Sequence, residues 1–90
     1  MLGDPNIDFV IITVPDNSHM EIACAFMRDG KDVLLEKPMA LSLPECEEML
    51  RVEKETGKRL MVGQVCRVAP GFALDTKIIN EGMIGDIFFI

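Results

Sequence analysis

The stretch IDFVIITV, residues 7–14, decides the fold of this chain. Six of its eight residues are β-branched or strand-favouring Ile, Val and Thr, and the run is too short to form a helix of its own. A nearly continuous apolar run is typical of a parallel strand that is covered on both faces. We therefore predict a central parallel strand here.

Helix and strand signals alternate on the carboxyl side of this strand. Ser18 with Glu21, and Ser42 with Glu45, form S-x-x-E capping boxes that predict two helix starts, and Gly30, Gly57 and Gly82 are suited to helix ends. The predicted elements are a helix at 18–30, a strand at 32–35, a helix at 42–56, a strand at 59–65, a helix at 70–81 and a strand at 86–90. This β-α-β-α-β-α-β order predicts an α/β fold with a parallel sheet and helical crossovers.

The predicted core is modest because a chain of 90 residues buries only roughly 60–65% of its unfolded surface. We expect a three-layer arrangement up to about residue 81. The first helix should bury Ile22, Ala23, Phe26 and Met27, and the second should bury Cys46, Met49 and Leu50. Cys24, Cys46 and Cys66 fit neither a disulfide framework nor a zinc site, so we interpret them as reduced core residues.

Composition excludes several classes of protein. An apolar share of 49% and a charged share of 27% fit a globular chain. Its net charge of −6, with Lys and Arg spread along the chain and no basic stripe, argues against nucleic acid as a partner. The sequence contains no apolar run of the roughly 20 residues that span a bilayer and no signal peptide, so we expect a cytoplasmic protein without a membrane partner.

Three polar peptides follow the first three predicted strands. They are Val14-Pro15-Asp16-Asn17, Glu36-Lys37-Pro38 and Gln64-Val65-Cys66-Arg67. Right-handed crossovers place the carboxyl ends of parallel strands along one edge of the sheet. A lysine, an arginine and several hydrogen-bonding groups on one edge predict a site for a polar, anionic ligand.

The ordered set of motifs resembles one known family. The set consists of Pro15-Asp16-Asn17-Ser18-His19, Glu36-Lys37-Pro38, Val62-Gly63-Gln64 with Arg67 and Pro70, and Glu81-Gly82-Met83-Ile84-Gly85-Asp86-Ile87. It looks like the Gfo/Idh/MocA family of NAD(P)-dependent oxidoreductases, which act mostly on sugars and polyols. The resemblance implies a partial Rossmann-like domain, with residues 1–83 as its second half and 84–90 as the first strand of a substrate domain. The glycine-rich phosphate loop of the first half is absent from the sequence.

The resemblance also implies roles for individual residues. Lys37 is the expected catalytic residue, close to the nicotinamide ribose and the reacting hydroxyl. The cofactor, NAD or NADP, is expected to contact Val14, Pro15, Asp16, Asn17, His19, Glu36, Lys37, Pro38, Gln64 and Arg67. At the Asp16 position asparagine is more usual in the family, and Val68 stands where an aromatic residue is commoner.

Each assignment has an alternative. Lys37 could be a surface lysine paired with Glu36, and Arg67 could be bound in an ion pair. The segment 15–17 could be a plain turn that leads into a helix. For His19, a proton-transfer role competes with a packing or loop-orienting role, and we favour the second.

Two functional hypotheses follow. In the first, the chain is a fragment of an oxidoreductase that in complete form moves hydride between a nicotinamide cofactor and a small hydroxy compound. In the second, it is a non-catalytic binding or oligomerisation module derived from that family. The first predicts a G-x-G-x-x-G segment encoded just upstream or on a complementing chain. The second predicts no such segment and a stable homo-oligomer, because half a doubly wound sheet leaves an apolar edge exposed.

Overall fold

A computed structural model describes residues 1–89 of the chain. Its strands are β1 (Phe9–Ile12), β2 (Asp32–Leu35) and β3 (Leu60–Val62), and its α-helices are α1 (His19–Arg28), α2 (Leu43–Thr56) and α3 (Pro70–Asn80). Two short 3-10 helices, Asp16–Ser18 and Val65–Arg67, follow β1 and β3. None of the helices within this part of the chain is long and apolar enough to cross a membrane.

The three strands form one parallel sheet with β2 in the middle. Phe9 lies opposite Asp32, and Val33 lies opposite Leu60. The predicted α/β fold with a parallel sheet and helical crossovers is therefore confirmed. The third strand is shorter than predicted, because it ends before Gly63 and the residues Val65–Arg67 form a 3-10 helix.

The core lies on one face of the sheet. Its buried apolar side chains come from β1, β2, α1 and α2, and they are Val10, Ile12, Val33, Leu35, Ala23, Cys24, Met27, Met49 and Val52. Of the side chains predicted to be buried, Ala23, Cys24, Met27 and Met49 are buried, Ile22, Phe26 and Cys46 are half-buried, and Leu50 and Cys66 are exposed. The interpretation of Cys66 as a core residue was therefore wrong, since it lies in the short 3-10 helix after β3, which has no buried residue. Leu50 follows Met49 directly on α2 and so lies on an adjoining, outward face of the helix.

The prediction of a central strand covered on both faces was wrong for β1. This strand lies at the edge of the sheet, and its residues alternate between buried and exposed. Phe9 and Ile11 are each 59% exposed, because α1 and α2 cover only the opposite face. We call the side chains of Phe9, Ile11 and Met61 the bare face of the sheet.

The predicted three-layer arrangement is not formed, because α3 does not cover the bare face. No residue of α3 is buried, and the helix contacts chiefly the 3-10 helix that precedes it. The radius of gyration is 17.0 Å, whereas a compact domain of this length would have about 12 Å. The described chain therefore has two layers and a projecting helix.

The predicted strand at 86–90 is not present in residues 86–89, which have no regular secondary structure. A strand is defined by its pairing with a neighbour, and these residues form no backbone pairing with any other described residue. Phe88 and Phe89 are 96% and 88% exposed. Ile90 lies outside the described residues.

The two predicted capping boxes differ in outcome. Ser18 makes no side-chain cap, because the chain is already helical there and its backbone N–H donates to the Pro15 carbonyl at 2.9 Å. At α2, the Glu45 carboxylate does reach back, accepting from the Ser42 hydroxyl at 3.0 Å and the Leu41 N–H at 3.1 Å, but the Ser42 hydroxyl accepts no backbone N–H of the helix, so only the glutamate half of the box is formed. The helix-ending glycines are confirmed, since Gly57 has a φ of +65° and satisfies the left-handed geometry that favours glycine.

A buried lysine holds the amino-terminal turn to the sheet. Lys31 is 3% exposed, and its ammonium donates to the Asp4 carbonyl at 3.0 Å and lies 2.7 Å from a carboxylate oxygen of Asp29. The same Asp29 oxygen accepts the Gly3 N–H at 2.8 Å. The hydrogen bond from Lys31, followed by that from Gly3, lowers the pKa of Asp29 below its ordinary value of 3.8.

The pKa of Asp29 is lower in the folded chain than in the unfolded chain. The ionised Asp29 carboxylate therefore stabilises the fold fully above pH 3.8, and this stabilisation is lost as the pH falls through the pKa that Asp29 has in the folded chain. We expect Asp29→Asn to make the free energy of unfolding less dependent on pH in this acidic range. Urea unfolding at a series of pH values measures it. Asp75→Asn is the control, because Asp75 on exposed α3 makes no hydrogen bond or ion pair within residues 1–89. Equal pH dependence in the Asp29 variant and the unsubstituted chain would contradict this account.

Candidate functional site

The carboxyl ends of β1, β2 and β3 meet along one edge of the sheet, as parallel pairing requires. Backbone hydrogen bonds continue the pairing one residue beyond the strands. The Glu36 N–H donates to the Ile12 carbonyl at 3.0 Å, and the Gly63 N–H donates to the Leu35 carbonyl at 2.8 Å. The three predicted polar segments therefore leave the sheet side by side, and we call this the carboxyl edge.

His19 joins the first two of these segments. It lies in the first turn of α1 and is fully buried. Its Nδ1 is 2.8 Å from the Pro38 carbonyl oxygen, and its Nε2 is 3.0 Å from the Val14 carbonyl oxygen. Both ring nitrogens are thus engaged by the chain's own backbone, which leaves neither of them open to a substrate.

The segment after β1 presents polar side chains to solvent. Pro15, Asp16 and Asn17 are exposed, and Val14 is half-buried. The 3-10 helix Asp16–Ser18 turns the chain directly into α1. This geometry leaves the Asp16 carboxylate and the Asn17 amide available for hydrogen bonds to a ligand.

The segment after β2 is a tight turn with an exposed lysine. The Lys37–Pro38 peptide bond is cis, and the backbone N–H of Lys37 donates to the carboxylate of Glu36 at 3.1 Å. The ammonium of Lys37 forms no ion pair with any residue from 1 to 89, so the predicted alternative of a Lys37–Glu36 side-chain pair is not formed. Glu36 instead caps the turn on which Lys37 stands.

Gly63 allows the third segment to approach the second closely. A Cβ at this position would lie 3.4 Å from the Leu35 carbonyl oxygen and 4.0 Å from a carboxylate oxygen of Glu36. The sequence motifs alone predicted no role for this glycine. A glycine at the end of a strand, where another backbone comes close, is the signal that could have identified it.

Gln64 and Arg67 lie in the third segment and are exposed. The guanidinium of Arg67 makes no ion pair with the described residues, so the alternative that an acidic side chain holds it is not formed. Both residues line a shallow hollow formed only by residues of β3 and the turn after it. Among residues 1–89, neither side chain forms a hydrogen bond or an ion pair with Lys37 or Asp16.

Charged side chains at the two ends of the strands differ in whether they pair with an opposite charge. At the amino-terminal ends of the strands, Arg59 donates hydrogen bonds to the carboxylate of Asp32 and lowers the pKa of that carboxyl. At the carboxyl edge, Lys37 and Arg67 have no carboxylate partner within the described chain. An exposed cation with no internal partner is able to bind an anionic or polar ligand.

Comparisons with known proteins show which family this chain resembles. A family model described as an oxidoreductase family with an NAD-binding Rossmann fold matches residues 1–64. An inositol 2-dehydrogenase/D-chiro-inositol 3-dehydrogenase of Lactiplantibacillus plantarum is 35% identical over 86 residues, which are 94% of this chain and 25% of that protein. The chain spans about a quarter of the length of the curated relatives it matches.

Solved structures of other proteins are also similar to this chain. An NAD-binding protein from Listeria innocua superposes with a TM-score of 0.91 at 31% identity, over 97% of this chain and 25% of the other. A variant of the 3-ketoreductase KijD10 from Actinomadura kijaniata, solved with TDP-benzene and NADP, has a TM-score of 0.87 at 30% identity, over 96% of this chain and 27% of that one. Since the family model matches well over half of the chain, the chain belongs to the Gfo/Idh/MocA oxidoreductase family, with an NAD-binding Rossmann fold.

Proposed function

We propose that this chain is the nicotinamide-side half of the dinucleotide-binding domain of an NAD(P)-dependent oxidoreductase. In complete form, the enzyme moves hydride between the cofactor and a sugar, polyol or similar hydroxy compound. The observation that carries the proposal is the carboxyl edge, where three polar segments leave adjacent parallel strands and two of them are joined through His19. Ligands of open α/β sheets bind outside the carboxyl ends of the strands.

The groups at the carboxyl edge fit the nicotinamide half of a dinucleotide better than its pyrophosphate. Asp16, Asn17 and Gln64 offer exposed carboxylate and amide groups that suit ribose hydroxyls and a carboxamide. A pyrophosphate is bound by a glycine-rich turn at a helix N-terminus. No such turn follows a strand within residues 1–89, so this part of the chain supplies contacts to one side of the cofactor only.

Lys37 is the residue of this chain that we assign to the chemistry. Bound nicotinamide would supply the hydride acceptor or donor. The exposed ammonium of Lys37, held on the turn that Glu36 caps, would donate a hydrogen bond to the reacting hydroxyl and stabilise negative charge on its oxygen. His19 would act as a positioning residue, because both of its ring nitrogens are used within the chain.

The proposed division of the chain is the one that the family resemblance implies. Residues 1–83 would form the second half of the Rossmann domain, and 84–90 would begin the substrate domain as its first strand. Support comes from the bare face and from the exposed apolar side chains of Ile84, Phe88 and Phe89, which have no partner surface within residues 1–89. We propose that the remainder of a cytoplasmic enzyme, or a second copy or complementing chain, covers these surfaces.

The bare face also favours a second candidate function, a non-catalytic binding or oligomerisation module. Exposed apolar side chains such as Phe9, Ile11 and Met61 promote association whether or not a cofactor binds. This alternative differs from the first in one respect that can be measured. It requires no response of the carboxyl edge to a nicotinamide ligand.

The amide spectrum of the labelled chain distinguishes the two candidates. We expect NADH and NADPH to shift the backbone amides of Asp16, Lys37 and Gln64 in two-dimensional NMR spectra, and to leave that of Lys54 on the outer side of α2 unchanged. Reduced nicotinamide mononucleotide should shift the same amides, because the proposed site contacts the nicotinamide side. Adenosine monophosphate is the matched control and should have little effect.

The chain is titrated alone and together with a fragment that supplies the first half of a Rossmann domain. Absence of any response to NADH and NADPH in both cases would overturn the oxidoreductase proposal and leave the module. A response to adenosine monophosphate at the same amides would contradict the assignment of this half to nicotinamide.

The role of Lys37 is tested in the complete oxidoreductase that contains this chain. We expect Lys37→Ala to lower kcat by about 10²–10³-fold, because a donor to the developing oxyanion is lost. Lys54→Ala is the matched control, since Lys54 is also an exposed lysine but lies on α2 away from the edge. Steady-state kinetics with NAD and a polyol measure both variants. An unchanged kcat in the Lys37 variant would remove this residue from the catalytic site.

A further inference from the structure

The segment after β1 is held by its backbone but leaves one charged side chain free. The Ser18 N–H donates to the Pro15 carbonyl at 2.9 Å, and the His19 N–H donates to the Asp16 carbonyl. Asp16 is exposed, and its carboxylate forms no hydrogen bond or ion pair with any residue from 1 to 89. The chain therefore fixes the backbone of Asp16 without using its carboxylate.

The two segments that His19 joins carry a net negative charge. Their charged side chains are Asp16, Glu36 and Lys37, all exposed, so the carboxylates exceed the ammonium groups by one. Neither carboxylate forms an ion pair with the Lys37 ammonium within residues 1–89. Arg67 lies on the third segment and forms no ion pair with Asp16 in this part of the chain. The local charge of the joined segments therefore favours a cation over a neutral group.

The two forms of a nicotinamide cofactor differ in this same property. The nicotinamide ring carries a formal positive charge in NAD⁺ and NADP⁺, and it is neutral in NADH and NADPH. The ribose, pyrophosphate and adenosine parts are the same in both forms. A difference in affinity between the oxidised and the reduced form therefore reports on the electrostatics around the ring.

We infer that the carboxylate of Asp16 gives the site a preference for the oxidised cofactor, by acting as the partner of the positively charged ring. The inference rests on the proposed function, in which the ring lies over the segments of Asp16 and Lys37. There the Lys37 ammonium is assigned to the oxygen of the reacting hydroxyl. The Asp16 carboxylate is then the unpaired charge that remains for the ring.

A preference of this kind affects the chemistry without a bond being made to Asp16. The affinities of the two cofactor forms are linked to the reduction potential of the bound cofactor. Tighter binding of the oxidised form stabilises it relative to the reduced form and makes the bound reduced form a stronger hydride donor. The effect is limited in size because Asp16 is exposed, and an exposed charge pair changes an affinity by only about 2–5-fold.

Calorimetric titration of the complete oxidoreductase that contains this chain measures the preference. The quantity is the ratio of the Kd for NADH to the Kd for NAD⁺, or of NADPH to NADP⁺ for an enzyme that takes that pair. We expect Asp16→Asn to lower this ratio by about 2–5-fold, because the amide keeps the shape of the side chain but loses its charge. Asp16→Glu keeps the charge and should retain most of the preference.

Asp75→Asn is the matched control, since Asp75 is also an exposed aspartate but lies on α3 and makes no ion pair within residues 1–89. Its ratio should equal that of the unsubstituted enzyme. An Asp16→Asn enzyme that binds both cofactor forms with an unchanged ratio would overturn the inference and leave the proposed function standing. A ratio that falls equally in Asp16→Glu or in Asp75→Asn would also overturn it. An unsubstituted enzyme that binds neither form of either cofactor would overturn both proposals.

Discussion

The pairing of β2 with a parallel strand on each side is the constraint on which the structure depends. β2 is only four residues long, yet it bonds to β1 on one edge and to β3 on the other. Because all three strands run in the same direction, every segment that follows a strand emerges at the same end of the sheet. The hydrogen bonds of Glu36 to Ile12 and of Gly63 to Leu35 then bring those segments into contact.

The same pairing explains why one face of the sheet is exposed within residues 1–89. The register buries Val10, Ile12, Val33 and Leu35 under the two helices, and by alternation it turns Phe9, Ile11 and Met61 to the other side. Strands of an α/β sheet are apolar on both faces because helices cover both. Within residues 1–89 helices cover only one face, so the apolar side chains of the other face are exposed.

Local signals in the sequence predicted most of the fold. The order of strands and helices, the left-handed glycines and the meeting of three polar segments at one edge all follow from short-range patterns. Whether residues 7–14 form a central or an edge strand could not be predicted from that run, because the answer depends on which other strands are present. The missing cap at Ser18 also has a local cause, since the 3-10 helix begins before the serine.

The interactions that organise the site were harder to predict because they connect distant parts of the chain. His19 lies within five residues of Val14 but 19 residues from Pro38, and only the folded turn places both carbonyls against its ring. Gly63 acts through the absence of a side chain, next to a carbonyl that belongs to β2. Such contacts depend on the register of the sheet, which the sequence pattern does not specify to the residue.

The central claim is that the carboxyl edge of this chain is the nicotinamide side of a dinucleotide cleft. A crystal structure of the complete oxidoreductase with bound NAD or NADP tests it most directly. The account predicts that the nicotinamide ring and its ribose lie over the segments of Asp16 and Lys37, with the Lys37 ammonium within hydrogen-bonding distance of the ribose or the substrate hydroxyl. A cofactor that places its adenine side at this edge, or that leaves Lys37 in bulk solvent, would contradict it.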